Sequence, residues 1–318
     1  MKKRWYLYLI GVILITAIIS YLYLTGFTSR FPEKEILALR LVRLAITFVS
    51  GFVLAISGAS LQTILQNQLA DPYILGISSG ALLGVAISKL LNLTIPLAFS
   101  VPAFFFALFS IFLIYHLSRV RGILVKELLV LGGLFLNFFF SGVVFYLLVL
   151  KREVLSQILY TLWGYTGIIV TSNELLFLII TLTLAFILSS LPLLKIKEMD
   201  AITLGDHEAL SLGVDVHKVR NFIFFTTSAS TALIVAITGA IGFIGLMVPN
   251  IVKKLFGGKH AVLLPVSGVC GALFLIIADI ISRSISPVEL PLSIILGTFA
   301  VPFFFWIIWR ARYESNRD

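Results

Sequence analysis

Long apolar runs constrain this chain more than any other feature. A helix of about 20 apolar residues crosses the hydrocarbon core of a bilayer, whereas a barrel strand needs only about ten alternating ones. Ten runs of helical length can be read, at roughly 5–25, 44–65, 74–92, 95–117, 125–150, 174–194, 221–238, 241–256, 261–282 and 290–309. The seventh and eighth are short and separated by glycines, so one of that pair is in question. Only 12% of the 318 residues are charged, against about 25% in soluble domains. The expected fold class is therefore an all-α polytopic membrane protein of about ten transmembrane helices, with 1–318 as a single transmembrane domain. The longest polar stretch, about 195–220, is too short for a soluble domain. The opening "MKKRWYLYLIGVILITAIIS" has the charged start of a signal peptide. Its apolar run is too long and lacks a small-x-small cleavage site, so it reads as a retained first span. Cys270 is the single cysteine, which excludes a disulfide within the chain and points to a packing role.

Ten spans put both termini on one side. With the N-terminus inside, 16 of the 24 Lys and Arg fall on inner segments, in agreement with the positive-inside rule. The expected location is the inner (cytoplasmic) membrane, multi-pass, with cytoplasmic termini. Four of the remaining basic residues, Arg30, Lys34, Arg40 and Arg43, crowd the first outer loop. Composition leaves two readings of them level: a short loop that tolerates charge, or a surface that receives something acidic.

Several chemistries are missing. The four histidines, His116, His207, His217 and His260, fall on inner loops or inner span ends. No His, Cys and carboxylate cluster has metal-ligand spacing, so no resident metal or cofactor is expected. Asp279 is the only ionisable residue well inside an expected span, with Arg283 four residues on as a structural partner. Ion-driven carriers usually need intramembrane acids or broken-helix ion sites. There is no G-x-x-x-x-G-K-[S/T] loop; "GGKH" at 257–260 lacks the first glycine and the hydroxyl. The chain is not expected to bind ATP, to be an enzyme or to bind nucleic acid, and uphill transport would draw its energy from another subunit.

Two stretches are too polar and glycine-rich for a simple lipid-facing helix. In "SGASLQTILQNQLADPYILGISSGALLG", 57–84, Gln62, Gln66, Asn67 and Gln68 stand near an inner boundary, and Asp71-Pro72 breaks the helix. Gly76, Gly80 and Gly84 recur every four residues on one helix face, which favours close helix packing over a substrate role. In 239–291, Gly239, Gly242 and Gly245 with Pro249 predict an interrupted helix. Such breaks persist at membrane depth only where protein or a water-filled cavity receives the freed backbone groups.

These residues resemble the permease family of binding-protein-dependent ABC importers for iron–siderophore complexes, haem and cobalamin, over nearly the whole chain. "RLVR" is similar to R-x-P-R, and "SGASLQTILQNQLADPYILG" to S-G-x-x-x-Q-x-x-x-x-N-P-L-A-x-P-x-x-L-G. "GAIGFIGLMVPNI" is similar to G-x-I-x-F-V-G-L-x-V-P-H, and "LLP…GA…AD…R…ELP" follows in the same order. Val42, Gln68 and Asn250 depart from the pattern at a proline, a proline and a histidine.

The resemblance implies a cobalamin-permease-like fold. It also implies two cytoplasmic ATPase subunits, an extracytoplasmic solute-binding protein, a second permease subunit (identical or not), membrane lipid around the spans and a metal-chelate substrate. Arg40, Arg43 and Arg283 are then expected to receive the binding protein's glutamates outside. The inner piece "LGDHEALSLGV" resembles the family's coupling helices, with Leu204, Gly205, Asp206, Glu208, Ala209, Leu212 and Gly213 as expected ATPase contacts. On the residues alone it is a short amphipathic piece with Leu204, Leu210 and Leu212 apolar. Gln62, Asn67, Asn137, Gly242 and Pro249 are expected pathway residues, with helix–helix hydrogen bonding equally open for Asn137. A related molybdate-type oxyanion importer, a secondary carrier and a membrane-embedded enzyme are the competing readings; the last has no nucleophile, paired carboxylates or metal cluster to support it.

Overall fold

A computed structural model describes residues 5–26, 32–91, 100–120, 123–150, 163–286 and 288–315. Arg30 of the first outer loop lies outside the described residues, as do Lys151, Arg152 and 95–99 of the fourth expected span. The helices are α1 Trp5–Thr25, α2 Lys34–Ile64, α3 Ile77–Leu90, α4 Ser100–Leu117, α5 Lys126–Leu150 and α6 Ser172–Ser190. They continue as α7 Ile196–Ile202, α8 Asp206–Ser211, α9 Val216–Thr238, α10 Ile244–Phe256, α11 His260–Ser284 and α12 Leu292–Ser315. A two-stranded antiparallel ribbon, Arg119–Val120 with Ile123–Leu124, joins α4 to α5. Six helical segments are long and apolar enough to span a bilayer, and three shorter apolar helices accompany them among the described residues. The chain is a multi-pass membrane protein.

One expected span is only partly helical. The run 241–256 forms only the 13-residue α10, about 20 Å at 1.5 Å per residue against a hydrocarbon core of about 30 Å. It follows a non-helical break over residues 239–243, where Phe243 holds the left-handed conformation (φ 72°). The freed backbone groups are received within the protein. Ile241 N donates to the Tyr73 hydroxyl at 3.0 Å, Gly242 N to Ser293 Oγ at 2.9 Å, and Ser293 Oγ to Ala240 O at 2.9 Å.

Helix α2 is the central post, its residues from Ile46 to Ile64 nearly all buried. Without a hydrophobic drive between helices in lipid, close approach depends on small residues. A Cβ at Gly51 would fall on the carbonyl oxygen of Gly271 in α11, and one at Gly58 on that of Gly245 in α10. The expected close-packing face at Gly80 and Gly84 is likewise present. A Cβ at Gly80 would meet Phe106 O of α4, and one at Gly84 Pro102 O. Facing hydroxyls add cross-links, as between Ser57 of α2 and Ser230 of α9 at 3.2 Å. The exposed phenylalanines of α5, Phe135, Phe138 and Phe145, suit a surface solvated by lipid.

Candidate functional site

At 31 residues, α2 is about 46 Å long, so Arg43 near its start and Ile64 at its end mark opposite ends of the bundle. Two clusters of charge and a cavity occupy these positions.

Near the first end the structure brings Arg43 and Arg283 together around an internal acid, while Arg40 turns to the end of α1. Asp279 of α11 is fully buried. It accepts from the Tyr23 hydroxyl at 2.7 Å, Thr166 Oγ1 at 2.6 Å, and Arg43 Nε at 3.1 Å and Nη2 at 2.8 Å. The same guanidinium clasps Glu289, Nη1 to Oε1 at 2.8 Å and Nη2 to Oε2 at 2.9 Å. Burial would raise the Glu289 carboxyl, yet the Arg43 hydrogen bonds and charge hold it below its usual range. That contribution is present above the ordinary carboxylate range and is lost only as pH falls through the lowered value.

Arg43 is expected to meet glutamates of a partner; in the structure both carboxylates that its guanidinium clasps belong to this chain. Arg283 lies 4.0 Å from Asp279, as the i,i+4 spacing anticipates, and stacks over the Tyr23 ring at 4.1 Å. Asp279 nevertheless has Arg43 as its main partner. Arg40 is half-buried and donates to Leu24 O at 2.7 Å at the end of α1.

At the opposite end, α8 lies between two glycines in conformations that other residues rarely adopt, Gly205 (φ 133°) and Gly213 (φ 81°). Val214 N bonds Ala209 O at 3.0 Å and Gly213 N bonds Leu210 O at 2.9 Å, a Schellman closure in which Gly213 fits because it lacks a Cβ. Ala209 is buried under the piece. Leu204, Leu210 and Leu212 are 66%, 51% and 65% exposed on this non-spanning segment. Asp206 is engaged: Arg220 Nη2 approaches its two oxygens at 3.0 and 2.9 Å, Gln66 Nε2 donates to Oδ1 at 3.2 Å, and Lys126 Nζ lies 3.4 Å from Oδ2. Burial acts to raise the Asp206 carboxyl; the Arg220 bond and the charges of Arg220 and Lys126 outweigh it and keep the group below its usual value. The sequence reading did not pick out Arg220 or Lys126 as partners of this segment. Arg220 belongs to α9, which starts at Val216, five residues before the apolar run expected from 221, so nothing in the pattern ties it to Asp206.

Between the ends lies a cavity of about 500 Å³ whose wall includes Asp71, Tyr73, Ser79, Asn137, Gly242 and Phe243. Asn137 is both wall and cross-link: its Oδ1 accepts from Ser79 Oγ at 2.6 Å and its Nδ2 donates to Tyr73 O at 3.3 Å. Of the expected pathway residues, Asn137 and Gly242 line this cavity, while Gln62, Asn67 and Pro249 do not. The reason is local. Pro249 has no N–H to offer Gly245 O four residues back, and Gln62 Nε2 fills that place at 3.1 Å. Asn67 Oδ1 accepts from Leu69 N at 2.9 Å in a turn. Asn250, one of the departures from the family pattern, donates to the main-chain oxygen of Gln68, another of them, at 2.9 Å.

Residues 5–310 match the FecCD transport family. The chain is 34% identical to a vitamin B12 import system permease protein of Vibrio vulnificus, an alignment covering 98% of this chain and 96% of that one. It is 34% identical to a probable iron chelatin transport system permease protein of Helicobacter pylori (87% and 83% covered). Identity to an Fe(3+) dicitrate transport system permease protein of Escherichia coli is 32% (86% and 84%). Among solved structures, an inward-facing conformation of a metal-chelate type ABC transporter matches with a TM-score of 0.83 and 27% identity, over 96% of this chain and 99% of that one.

Proposed function

The chain belongs to the FecCD transport family, and from that premise we propose that it is the permease subunit of an ABC importer carrying an iron chelate, haem or cobalamin into the cytoplasm. The observation that carries this reading is the family match over residues 5–310 together with the fold agreement at a TM-score of 0.83. The relatives' cargoes, vitamin B12, iron chelatin and Fe(3+) dicitrate, share bulk and a metal rather than a charge. An oxyanion cargo fits the cavity less well, since Asp71, an acid, is the charged residue of its described wall. A proton- or sodium-driven carrier is disfavoured by the lock on Asp279, whose carboxylate already accepts from Arg43, Tyr23 and Thr166.

Three partners follow from the same reading. ATPase subunits would seat on the exposed Leu204, Leu210 and Leu212, and this end and both termini would then be cytoplasmic. An exposed apolar cluster of this kind on a polar, non-spanning segment is the usual mark of an interaction site. A second permease subunit would close the cavity into a pathway. An extracytoplasmic binding protein would meet the arginine end through Arg40 and Arg283, with Arg43 behind them holding the rim in shape.

Rim ion pairs contribute about 0.2–1 kcal/mol each and weaken with salt. The Arg40→Glu, Arg283→Glu double reversal adds like-charge repulsion and is expected to weaken docking at least tenfold, with assembly of the ATPase subunits unchanged. Titration of the reconstituted permease complex with its solute-binding protein, at two salt concentrations, reads this directly. Undiminished affinity of the double reversal would remove the arginine end as the docking face.

A further inference from the structure

We propose that the Asp206–Arg220 pair, clamped by Gln66 and Lys126, is the joint through which movement of the 204–214 segment enters the membrane helices, with Arg220 as its positioning residue. The proposal rests on the reading of 204–214 as the ATPase contact and specifies where that contact leads.

Three features distinguish this cluster from an ordinary surface ion pair. The first is its reach. One short segment is tied at a single carboxylate to α9 through Arg220, to the end of α2 through Gln66, and to the start of α5 through Lys126. Arg220 also reaches back to α2, its Nε donating to Ile64 O at 3.1 Å. That carbonyl belongs to the last turn of α2, where four oxygens lack intrahelical partners, so the guanidinium replaces a missing helix bond and holds Asp206 with the same group.

The second feature is burial. Arg220 is 2% exposed, and a guanidinium removed from water persists only if its hydrogen bonds are made. A planar donor fork makes them in fixed directions. The pair therefore behaves as a strut rather than as a tether: displacing Asp206 must move α9 and the α2 end or strand a buried charge.

The third is backbone strain. Gln66 is one of two described non-glycine residues with positive φ (49°), the other being Phe243 at the helix break beside the cavity. A non-glycine residue held in the left-handed region is strained and persists only where its surroundings enforce it. Here its side chain supplies the enforcement, donating to Ile202 O at 2.9 Å and to Asp206, and accepting from Lys126 Nζ at 2.6 Å. The strained turn thus joins the spanning helix α2 to both α7 and α8. Its other neighbours follow the same route: α2 packs on α10 at Gly58 and Gly245, and residues 240, 242, 243 and 246 of that break and helix line the cavity.

The test uses a Cys270→Ser background with a Ser141→Cys reporter in the cavity wall, in the complete complex with its ATPase subunits. Labelling by a charged maleimide is timed with and without a non-hydrolysable ATP analogue, and ATP hydrolysis is measured in parallel. With Arg220 present, the analogue is expected to change the labelling rate at least fivefold. Arg220→Gln and Asp206→Asn should each abolish that change while the ATPase subunits remain bound and hydrolyse ATP, and the double variant should be no worse than either. Arg220→Lys, which keeps the charge and loses the fork, should retain part of the response and shows that the site still folds. A full response to the analogue in Arg220→Gln would overturn the joint, as would loss of labelling response and of ATPase binding in strict parallel. Failure of the underlying reading is seen separately: if Leu210→Asp, Leu212→Asp complexes still bind the ATPase subunits normally, the 204–214 segment is not their seat.

Discussion

Arg43→Ala is expected to lower the stability of the folded protein severely, not merely to weaken a partner. The substitution leaves Asp279 fully buried with its charge uncompensated except by Arg283 at 4.0 Å. Breaking one partner of a buried ion pair costs on the order of 3–5 kcal/mol, comparable to half the stability of a typical domain. Asp279→Ala should be as severe from the other side, stranding Arg43 against Glu289 alone. Removing both charges at once, with Arg43→Met and Asp279→Leu, takes away the unpaired group and is expected to recover much of the loss. Thermal unfolding in detergent of the four proteins reads the cycle. Single variants that melt with the wild type would mean that the cluster is not what secures α1, α2 and α11 to one another.

Gly58→Leu is expected to be equally damaging for a different reason. A Cβ at Gly58 has no space because the carbonyl of Gly245 already occupies it, and both atoms belong to backbone. No rotamer relieves that clash, so α2 and α10 must separate, and Gln62 would lose its bonds to Gly245 O and Leu246 O. Overpacking alone costs about 1–3 kcal/mol where side chains can yield, and here neither side can. The variant should insert but fail to give a monodisperse complex, whereas Gly142→Leu, with open space around it, should behave as wild type. Size-exclusion profiles of the two in detergent decide the matter; similar profiles would contradict the backbone contact.

Much of this architecture is legible in the chain because lipid simplifies the reading. Apolar length reports spans directly, as α2, α5 and α11 show, and a glycine every fourth residue reports a helix face, as at Gly80 and Gly84. The break at 239–243 was also legible, since glycines and Pro249 have few other uses inside a span. Its consequence for α10, only 13 residues of helix, was not, because apolar composition does not show where helix gives way to extended backbone.

Side-chain partners were the least legible. Arg43 and Asp279 are 236 positions apart, so the spacing of "RLVR" describes where Arg43 starts, not where its guanidinium ends. The same holds for Gln62, whose polar amide near a helix boundary resembled a cavity group but serves a carbonyl orphaned by a proline 187 residues later. Gln66 adds the extreme case: its left-handed backbone is enforced by contacts from α7, α8 and α5 that no local pattern encodes.

Uptake by proteoliposomes tests the importer assignment most directly. The chain is reconstituted with its ATPase and solute-binding subunits, and labelled cyanocobalamin, haem and ferric dicitrate are offered with ATP inside or outside, and with proton and sodium gradients imposed separately. Accumulation of one of these cargoes is expected only when the ATPase subunit, its nucleotide and the binding protein are all present, with the permease alone hydrolysing no ATP. Accumulation driven by an ion gradient in vesicles that hold the permease alone would contradict the assignment.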